Sequence, residues 1–203
     1  MEKIDFKKSL KELYSAPSED FVLVEVPRLL FLMVDGKGDP NKAEDYRTGL
    51  NWVYSVSYAL KFASKEAFGK DYTVPPLEAL WWSDDMGNFT AGRKDDWCWT
   101  QMLMVPDFIT EAMFRDAVEK TRKKLGEPPS LRLEPFAEGL SAQILHIGSY
   151  GDEAPTIRRL HEEFIPQHGL AENGRHHEIY LSDPRRTETA KLRTILRQPV
   201  RRR

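Results

Sequence analysis

Along this chain the spacing of apolar positions switches between a period of two, the mark of a strand with one buried face, and a period of about 3.6, the mark of a helix. Residues 1 to 14 read as a short polar helix, with Ile4, Leu10 and Leu13 available to pack on the body, and Ser15-Ala16-Pro17-Ser18 breaks it. Phe21 to Val34 is rich in Val, Leu and Phe and is interrupted at Pro27, which predicts a strand pair or one strand bent at a sheet edge. Gly36-Lys37-Gly38-Asp39-Pro40 is a turn. From Lys42 to about Ala63, Tyr46, Leu50, Val53, Tyr54, Ser57 and Leu60 recur on one helical face, predicting the longest helix. Leu77 to Ser83 and Trp97 to Val105 read as antiparallel strands, joined across the Gly- and Asn-bearing stretch Asp84 to Asp96. Asp107 to Leu125 has helical spacing and basic residues in its last turn, where the helix dipole favours them. Leu131 to Phe136 and Ser141 to Tyr150 read as strands, and Ala154 to Phe164 as a helix with Pro155 in its first turn, ending near Pro166 and Gly169. Arg175 to Leu181 and Lys191 to Arg197 complete a second hairpin.

The order of elements repeats. Phe31 to Asp39 matches Ile144 to Asp152, Trp81-Trp82-Ser83-Asp84 matches Tyr180-Leu181-Ser182-Asp183, and Met102 to Pro106 matches Ile195 to Pro199. No single match is significant, but their common order predicts a tandem duplication of a strand-helix-strand-strand module. The expected fold is therefore α+β: a curved antiparallel sheet with helices on one face and a ligand cleft. Residues 1–203 form one domain in this reading, with a first repeat at about 21–106, a linking helix at about 107–125 and a second repeat at about 131–199.

Composition narrows the class of partner. The 203 residues carry 30 Lys and Arg against 32 Asp and Glu, so the net charge of -2 supplies no long-range attraction for a nucleic acid or an anionic membrane. The short basic end, Arg201-Arg202-Arg203, reads as a solvated terminus. A single cysteine, Cys98, excludes an internal disulfide and a multi-thiolate metal site and suits a reducing, cytoplasmic setting. Met1 to Tyr14 lacks the apolar core of an export signal, and the sequence calls for no self-association. The uneven feature is aromatic: four of the five tryptophans, Trp81, Trp97 and Trp99 with Trp82, fall within a nineteen-residue window on the first hairpin. Flat indole faces serve a core or stack on a polycyclic ligand.

Strand alternation places Glu178 and Tyr180 on one face and Ile179 and Leu181 on the other. With Ile179 and Leu181 toward the helices, Glu178 and Tyr180 face the open side. A carboxylate between aromatic walls is poorly solvated and suits proton transfer or pairing with a cation. Trp97, Trp99 and Gln101 share one face of their strand, and Trp81 shares a face with Ala79. Glu78 points the other way and is a second candidate carboxylate. Adjacent His176 and His177 must point to opposite faces, and His161 and His168 flank a helix end, so the histidines predict no metal site. Gly36-Lys37-Gly38 lacks phosphate-loop spacing. No cofactor is expected.

The Gly-Asp-Pro turn, Pro76-Leu77-Glu78-Ala79-Leu80-Trp81-Trp82, Trp99 to Ile109 and His177 to Pro184 together resemble the GyrI-like small-molecule-binding family, in particular its stand-alone members without a DNA-binding domain. The resemblance spans about residues 20 to 199. It implies a ligand cleft between duplicated halves, and it places a ligand-contacting glutamate at Glu178 and a tyrosine-bearing turn at Tyr150. Members of this superfamily bind lipophilic or cationic drugs, and a stand-alone branch hydrolyses cyclopropane-bearing DNA alkylators of the duocarmycin and yatakemycin type. The resemblance thus implies a flat lipophilic small molecule as partner, a catalytic set of Glu178, Tyr150 and Glu78, and a binding set of Trp81, Trp97, Trp99 and Tyr180. Two functions stand side by side at this point: a cofactor-free hydrolase opening a strained cyclopropane for detoxification, and a non-catalytic binder that sequesters or senses lipophilic or cationic compounds. A third, an interaction protein acting on a regulator or topoisomerase, has no residue that singles it out.

Overall fold

A computed structural model of the chain describes residues 3–83 and 93–203. In chain order the elements are β1 (Lys3–Ile4), α1 (Phe6–Ser9), α2 (Lys11–Tyr14), β2 (Val22–Lys37), α3 (Glu44–Phe68), β3 (Asp71–Tyr72), β4 (Leu77–Trp82), β5 (Cys98–Val105), α4 (Glu111–Leu125), β6 (Arg132–Ile147), α5 (Ala154–Arg159), β7 (Leu170–Glu172), β8 (His176–Tyr180) and β9 (Arg193–Arg202). The chain divides into two compact units, one of Met1–Ser9 with Leu29–Phe136, the other of Leu10–Arg28 with Ala137–Arg203. Each unit is α+β and antiparallel in its main strand pairs, as the alternation of periods predicts.

In the first unit β5 is the central strand. β2 pairs with it from Leu30 opposite Val105 to Lys37 opposite Cys98, and β4 from Glu78 opposite Met102 to Trp82 opposite Cys98. Residues directly opposite each other in antiparallel strands share a face. Leu32 and Val105 therefore mark the buried face, where they pack with Trp52, Val56 and Leu60 of α3 and with Phe114 and Ala117 of α4. The predicted α3 face is rotated by this packing: Trp52 and Val56 join Val53 and Leu60 inside, while Tyr54 turns to the surface. The helix also outruns its expected end at Ala63, because the following residues all tolerate helix and Gly69, at φ 64°, is the residue that adopts the left-handed cap. α4 begins later than Asp107, where Thr110 caps it by accepting from the Met113 amide at 3.2 Å. The Gly- and Asn-bearing part of the expected hairpin turn lies outside the described residues.

In the second unit β9 is central, paired with β6 from Ser141 opposite Pro199 to Ile147 opposite Arg193, with β8 from His177 opposite Arg197 to Tyr180 opposite Thr194, and with β7. Ala142, Leu170 and Val200 pack with Leu160 and Ile165 of the helical segment, which defines the helix-bearing face. That segment does not stop before Pro166. It continues from α5 through a π-helical turn, Leu160–Phe164, into Ile165–Gln167. Pro166 has no N–H to donate four residues back and its ring crowds that carbonyl, so a widened turn carries the helix past it. The expected strands 131–136 and 141–150 are one strand, β6, with Gly139 at φ 74° inside it. Likewise β2 runs unbroken through Pro27.

On the opposite face of these strands lies a buried polar network. Arg197 donates to Leu13 O at 2.6 Å, to Gln143 Oε1 at 2.9 Å and to Glu138 Oε2 at 3.2 Å. His177 Nδ1 meets Glu138 Oε1 at 2.9 Å, and Gln143 Nε2 donates to Glu12 O at 2.8 Å. Burial alone would push the Glu138 carboxyl up, but the charges and hydrogen bonds of His177 and Arg197 outweigh it and hold it below the ordinary range. These groups fasten α2 to β6 and β9 within the second unit.

Candidate functional site

The second unit concentrates chemically capable side chains in one place. Glu178 sits opposite Leu196, and Leu196 opposite Ile144 of β6. Ile144 shares its face with Ala142, two residues away, so Glu178 and Tyr180 lie on the helix-bearing face and Ile179 on the other. This reverses the expected facing, in which Ile179 and Leu181 were to meet the helices. On β8 the helix-bearing side carries His176, Glu178 and Tyr180, and the other side His177 and Ile179, so the rule that the apolar residue meets the helices pointed to the wrong side.

On that face Tyr180 donates its hydroxyl to Glu178 Oε2 at 2.7 Å. The rings of Tyr180 and Tyr150 meet edge to face with centroids 5.7 Å apart, and Tyr150, which follows the Gly148-Ser149 turn, is 42% exposed. On the other oxygen, His176 Nε2 lies 3.5 Å from Glu178 Oε1. The buried residue Glu153, immediately before α5, brings its carboxyl group against Glu178 and Thr194. Neither Glu153 Oε1 nor Thr194 Oγ1 completes a hydrogen bond in ordinary geometry. Burial first, and the negative charge of Glu178 second, push the Glu153 carboxyl up to about 10, so at neutral pH it holds a proton. The pair is therefore an un-ionised acid beside a carboxylate, the arrangement that separates a proton donor from a proton acceptor in acid–base catalysis. It also sets a carboxylate against the Tyr180 hydroxyl, with the Tyr150 ring packed on Tyr180.

Three residues predicted from sequence, Glu178, Tyr180 and Tyr150, thus come together. Glu153 was not among the candidates. Its sequence signal was slight: a carboxylate at the start of a predicted helix, which is also the ordinary place for one. His176 was read only as the neighbour of His177. The two do go to opposite faces, His177 to Glu138 and His176 to Glu178.

The other candidates lie in the first unit. Trp81 and Trp99 are opposite each other on the α3-bearing face and pack around Tyr46, with ring centroids 6.1 and 5.0 Å away. Trp97 is half-buried and meets Trp81 edge-on at 5.8 Å. Trp99 is fully buried against Gly36, where a Cβ would stand 2.0 Å from its Cη2. Gln101 Nε2 donates to Tyr46 O at 2.8 Å, passing so close to Gly49 that a Cβ there would be 2.3 Å from Oε1. Glu78 is buried opposite Met102, on the sheet face away from Trp81 and Trp99.

The strand registers refine the duplication. Counting back from Pro106 and Pro199, Gln101 is the counterpart of Thr194, and their partners are Ala79 and Tyr180. Glu178 then corresponds to Leu77, two positions from where the Ser-Asp match had placed it. The scaffold is repeated but the acidic centre is not. In the first unit its place is taken by an apolar residue, with the Tyr46 ring and the Gln101 side chain filling the space near the helix start. No group of three or more His, Cys, Asp or Glu among the described residues is arranged to hold a metal ion. No helix among them is long and apolar enough to cross a membrane.

Antiparallel strand–helix–strand–strand units of this kind define an α+β protein of tandem architecture, and the acid pair lies in the second of them. The chain belongs to the GyrI-like small molecule binding domain family, whose model matches residues 19–201. It is similar to two crystal structures described as hydrolases from Listeria innocua. One is 39% identical with a TM-score of 0.84, the other 38% identical with a TM-score of 0.86, and each match covers 98% of this chain and 100% of that one. The C-terminal domain of EcmrR shares the fold at 11% identity and a TM-score of 0.59, with 91% of this chain and 98% of that one covered. No curated protein matches the chain.

Proposed function

We propose that this protein is a cofactor-independent hydrolase whose reaction centre is the Glu153–Glu178 pair, and that its substrate is a flat, lipophilic DNA alkylator bearing a cyclopropane conjugated to a dienone. The observation that carries the reading is the pairing of a buried carboxylate with a neutral carboxylic acid under tyrosine rings. The hydrolase description of relatives at 38–39% identity supports the reaction type.

In this scheme Glu178, oriented by the Tyr180 hydroxyl, takes a proton from water as the oxygen attacks the least substituted cyclopropyl carbon. The carbon–carbon bond breaks and its electron pair passes into the dienone, which becomes a phenolate. Tyr150 donates to that oxygen as charge develops on it. The phenolate then takes a proton from solvent while Glu178 gives up the one it took, which completes the addition of one water molecule and restores the base. Ring strain and the gain of aromaticity supply much of the driving force, so the protein needs to position water and polarise the carbonyl. Glu153 keeps the site at a single negative charge, which lets Glu178 remain ionised beside it.

A second reading, a binder of lipophilic cations, is favoured by the same acidic group beside the Tyr180 and Tyr150 rings. Incubation with a cyclopropane-bearing alkylator, followed by mass spectrometry, separates the two. Turnover to the water adduct by the wild type, lost in Glu178→Gln, is the expected result. Saturable binding without adduct would leave the binder.

A further inference from the structure

On the same sheet face as the acid pair, His176 and Glu172 follow one another along the β9 edge toward the surface, and the hydrolytic scheme has not used them. His176 stands two residues before Glu178 on the same face of β8, with Nε2 3.5 Å from Glu178 Oε1 and a side chain 5% exposed. Glu172, at the end of β7, is opposite Val200, which packs with Leu160 and Ile165, so Glu172 also lies on the helix-bearing face. Its side chain is 50% exposed, and one oxygen is fixed by His161 Nδ1 at 2.6 Å. His161 reaches it from the π-helical turn, a departure from α geometry that occurs often at functional sites. The hydrogen bond from His161 is the largest cause holding the Glu172 carboxyl below its ordinary range, and the charge of His176 adds to it. Between β7 and β8 the pairing with β9 is carried by the Asn173 amide, which donates to Pro199 O at 2.9 Å, so the two strand ends are held in one place.

We propose that His176 relays the proton that Glu178 takes from water outward to Glu172, which His161 holds in position at the surface. The inference rests on the hydrolase reading. Each step conserves its proton: the neutral His176 ring takes it on Nε2 from Glu178 Oε1 while the proton on Nδ1 passes to the Glu172 carboxylate, Glu172 gives it to water, and the ring regains its Nδ1–H form by exchanging both ring protons with water. Glu178 is then again a base, ready for the next turnover. The 3.5 Å separation suits an unliganded state, in which catalytic hydrogen bonds are commonly long and tighten in the complex. His176 acts through Glu178 and is a relay rather than a catalytic residue. His161 is a positioning residue. The titratable groups facing the line are Glu153, Glu178 and Tyr180 at its inner end and Glu172 and His161 at its outer end.

The test uses the full chain with a cyclopropane–dienone alkylator in dilute buffer. For His176→Ala the expected result is a fall in kcat of about a hundredfold, the scale of one general acid–base step, with KM little changed. The first turnover is spared, and imidazole added to the buffer restores the rate. Glu172→Gln slows kcat in the same sense and responds to buffer concentration. Unaltered kcat in both variants, or a loss that imidazole does not restore, would overturn the relay. A second measurement needs no turnover. Glu178→Gln removes the carboxylate 3.5 Å from the His176 ring, so the ring resonances of His176 followed by NMR at a fixed pH should move, and unmoved resonances overturn the relay. Absence of adduct from the wild type, by contrast, overturns the hydrolase reading and leaves the NMR result to decide the linkage.

Discussion

Replacing Glu153 by Gln isolates the most consequential electrostatic feature of the site. The glutamine side chain has nearly the same shape and is neutral at every pH, whereas the folded protein holds a proton on Glu153 that the unfolded chain has lost above about pH 4.5. The folded state binds the extra proton, so stability falls as pH rises between the ordinary carboxyl value and about 10. The slope for one such group is about 1.4 kcal/mol per pH unit. From pH 6 to pH 8 the wild type should therefore lose up to about 2.7 kcal/mol that the variant keeps. Relaxation around the carboxylate, or water reaching it, makes this an upper limit. For a chain of this size it amounts to roughly 5–10 °C in Tm. The other carboxyls with shifted values, Asp39, Asp71, Glu138, Glu172 and Asp183, are all held low. Their contributions are complete above about pH 5 and flat across this window. The assay is thermal or urea unfolding of wild type and Glu153→Gln at half-unit steps from pH 6 to 8. A gap between the two that widens steadily with pH is expected. Parallel curves would refute the reasoning, since they would mean that Glu153 ionises in the fold as freely as in water.

Three further outcomes follow from the same geometry. Tyr180→Phe removes the donor to Glu178 Oε2 and should lower kcat for ring opening about 10- to 100-fold, the value of a hydrogen bond to a charged group, with the unfolding midpoint little changed; equal kcat would exclude Tyr180 from orienting the base. Gly36→Ala drives a methyl into the Trp99 ring and should cost about 1–3 kcal/mol or more by overpacking, read as a lower urea midpoint with loss of near-ultraviolet tryptophan dichroism; an unchanged midpoint would show that Trp99 is free to move. Arg197→Met leaves Glu138 buried beside His177 alone and Leu13 O without its 2.6 Å donor, and should cost about 3–5 kcal/mol. Hydrogen exchange of Glu12 to Tyr14 should rise first, and protection equal to that of the wild type would contradict the anchoring role of Arg197.

Some of this protein was determined by its sequence alone. The switch between periods of two and 3.6 is imposed by backbone geometry, and it placed β4, β5 and β8 within a residue of their ends and the starts of α3 and β9 within two, while both of those run five residues past their expected ends. Trp99 with Gln101 on one face of β5, and Trp81 with Ala79 on the face of β4 opposite Glu78, followed from alternation in the same way, while the strand register brought Trp81 opposite Trp99. Glu178 and Tyr180 were legible as partners because residues two apart in a strand must be neighbours. Local pattern could not say which face of β8 meets a helix, since Ile179 and Glu178 each have a side to occupy and the choice is made by the pairing of β9 with β6. Nor could it bring Glu153 to Glu178, or His161 to Glu172. Those contacts join the start and the π turn of the helical segment to strands that follow it, and they exist because Leu160 and Ile165 are drawn onto Ala142 and Val200. The chemistry of the site depends on that packing: a glutamate with an ordinary sequence signal becomes a neutral acid only when the fold removes it from water and sets it against a second carboxylate.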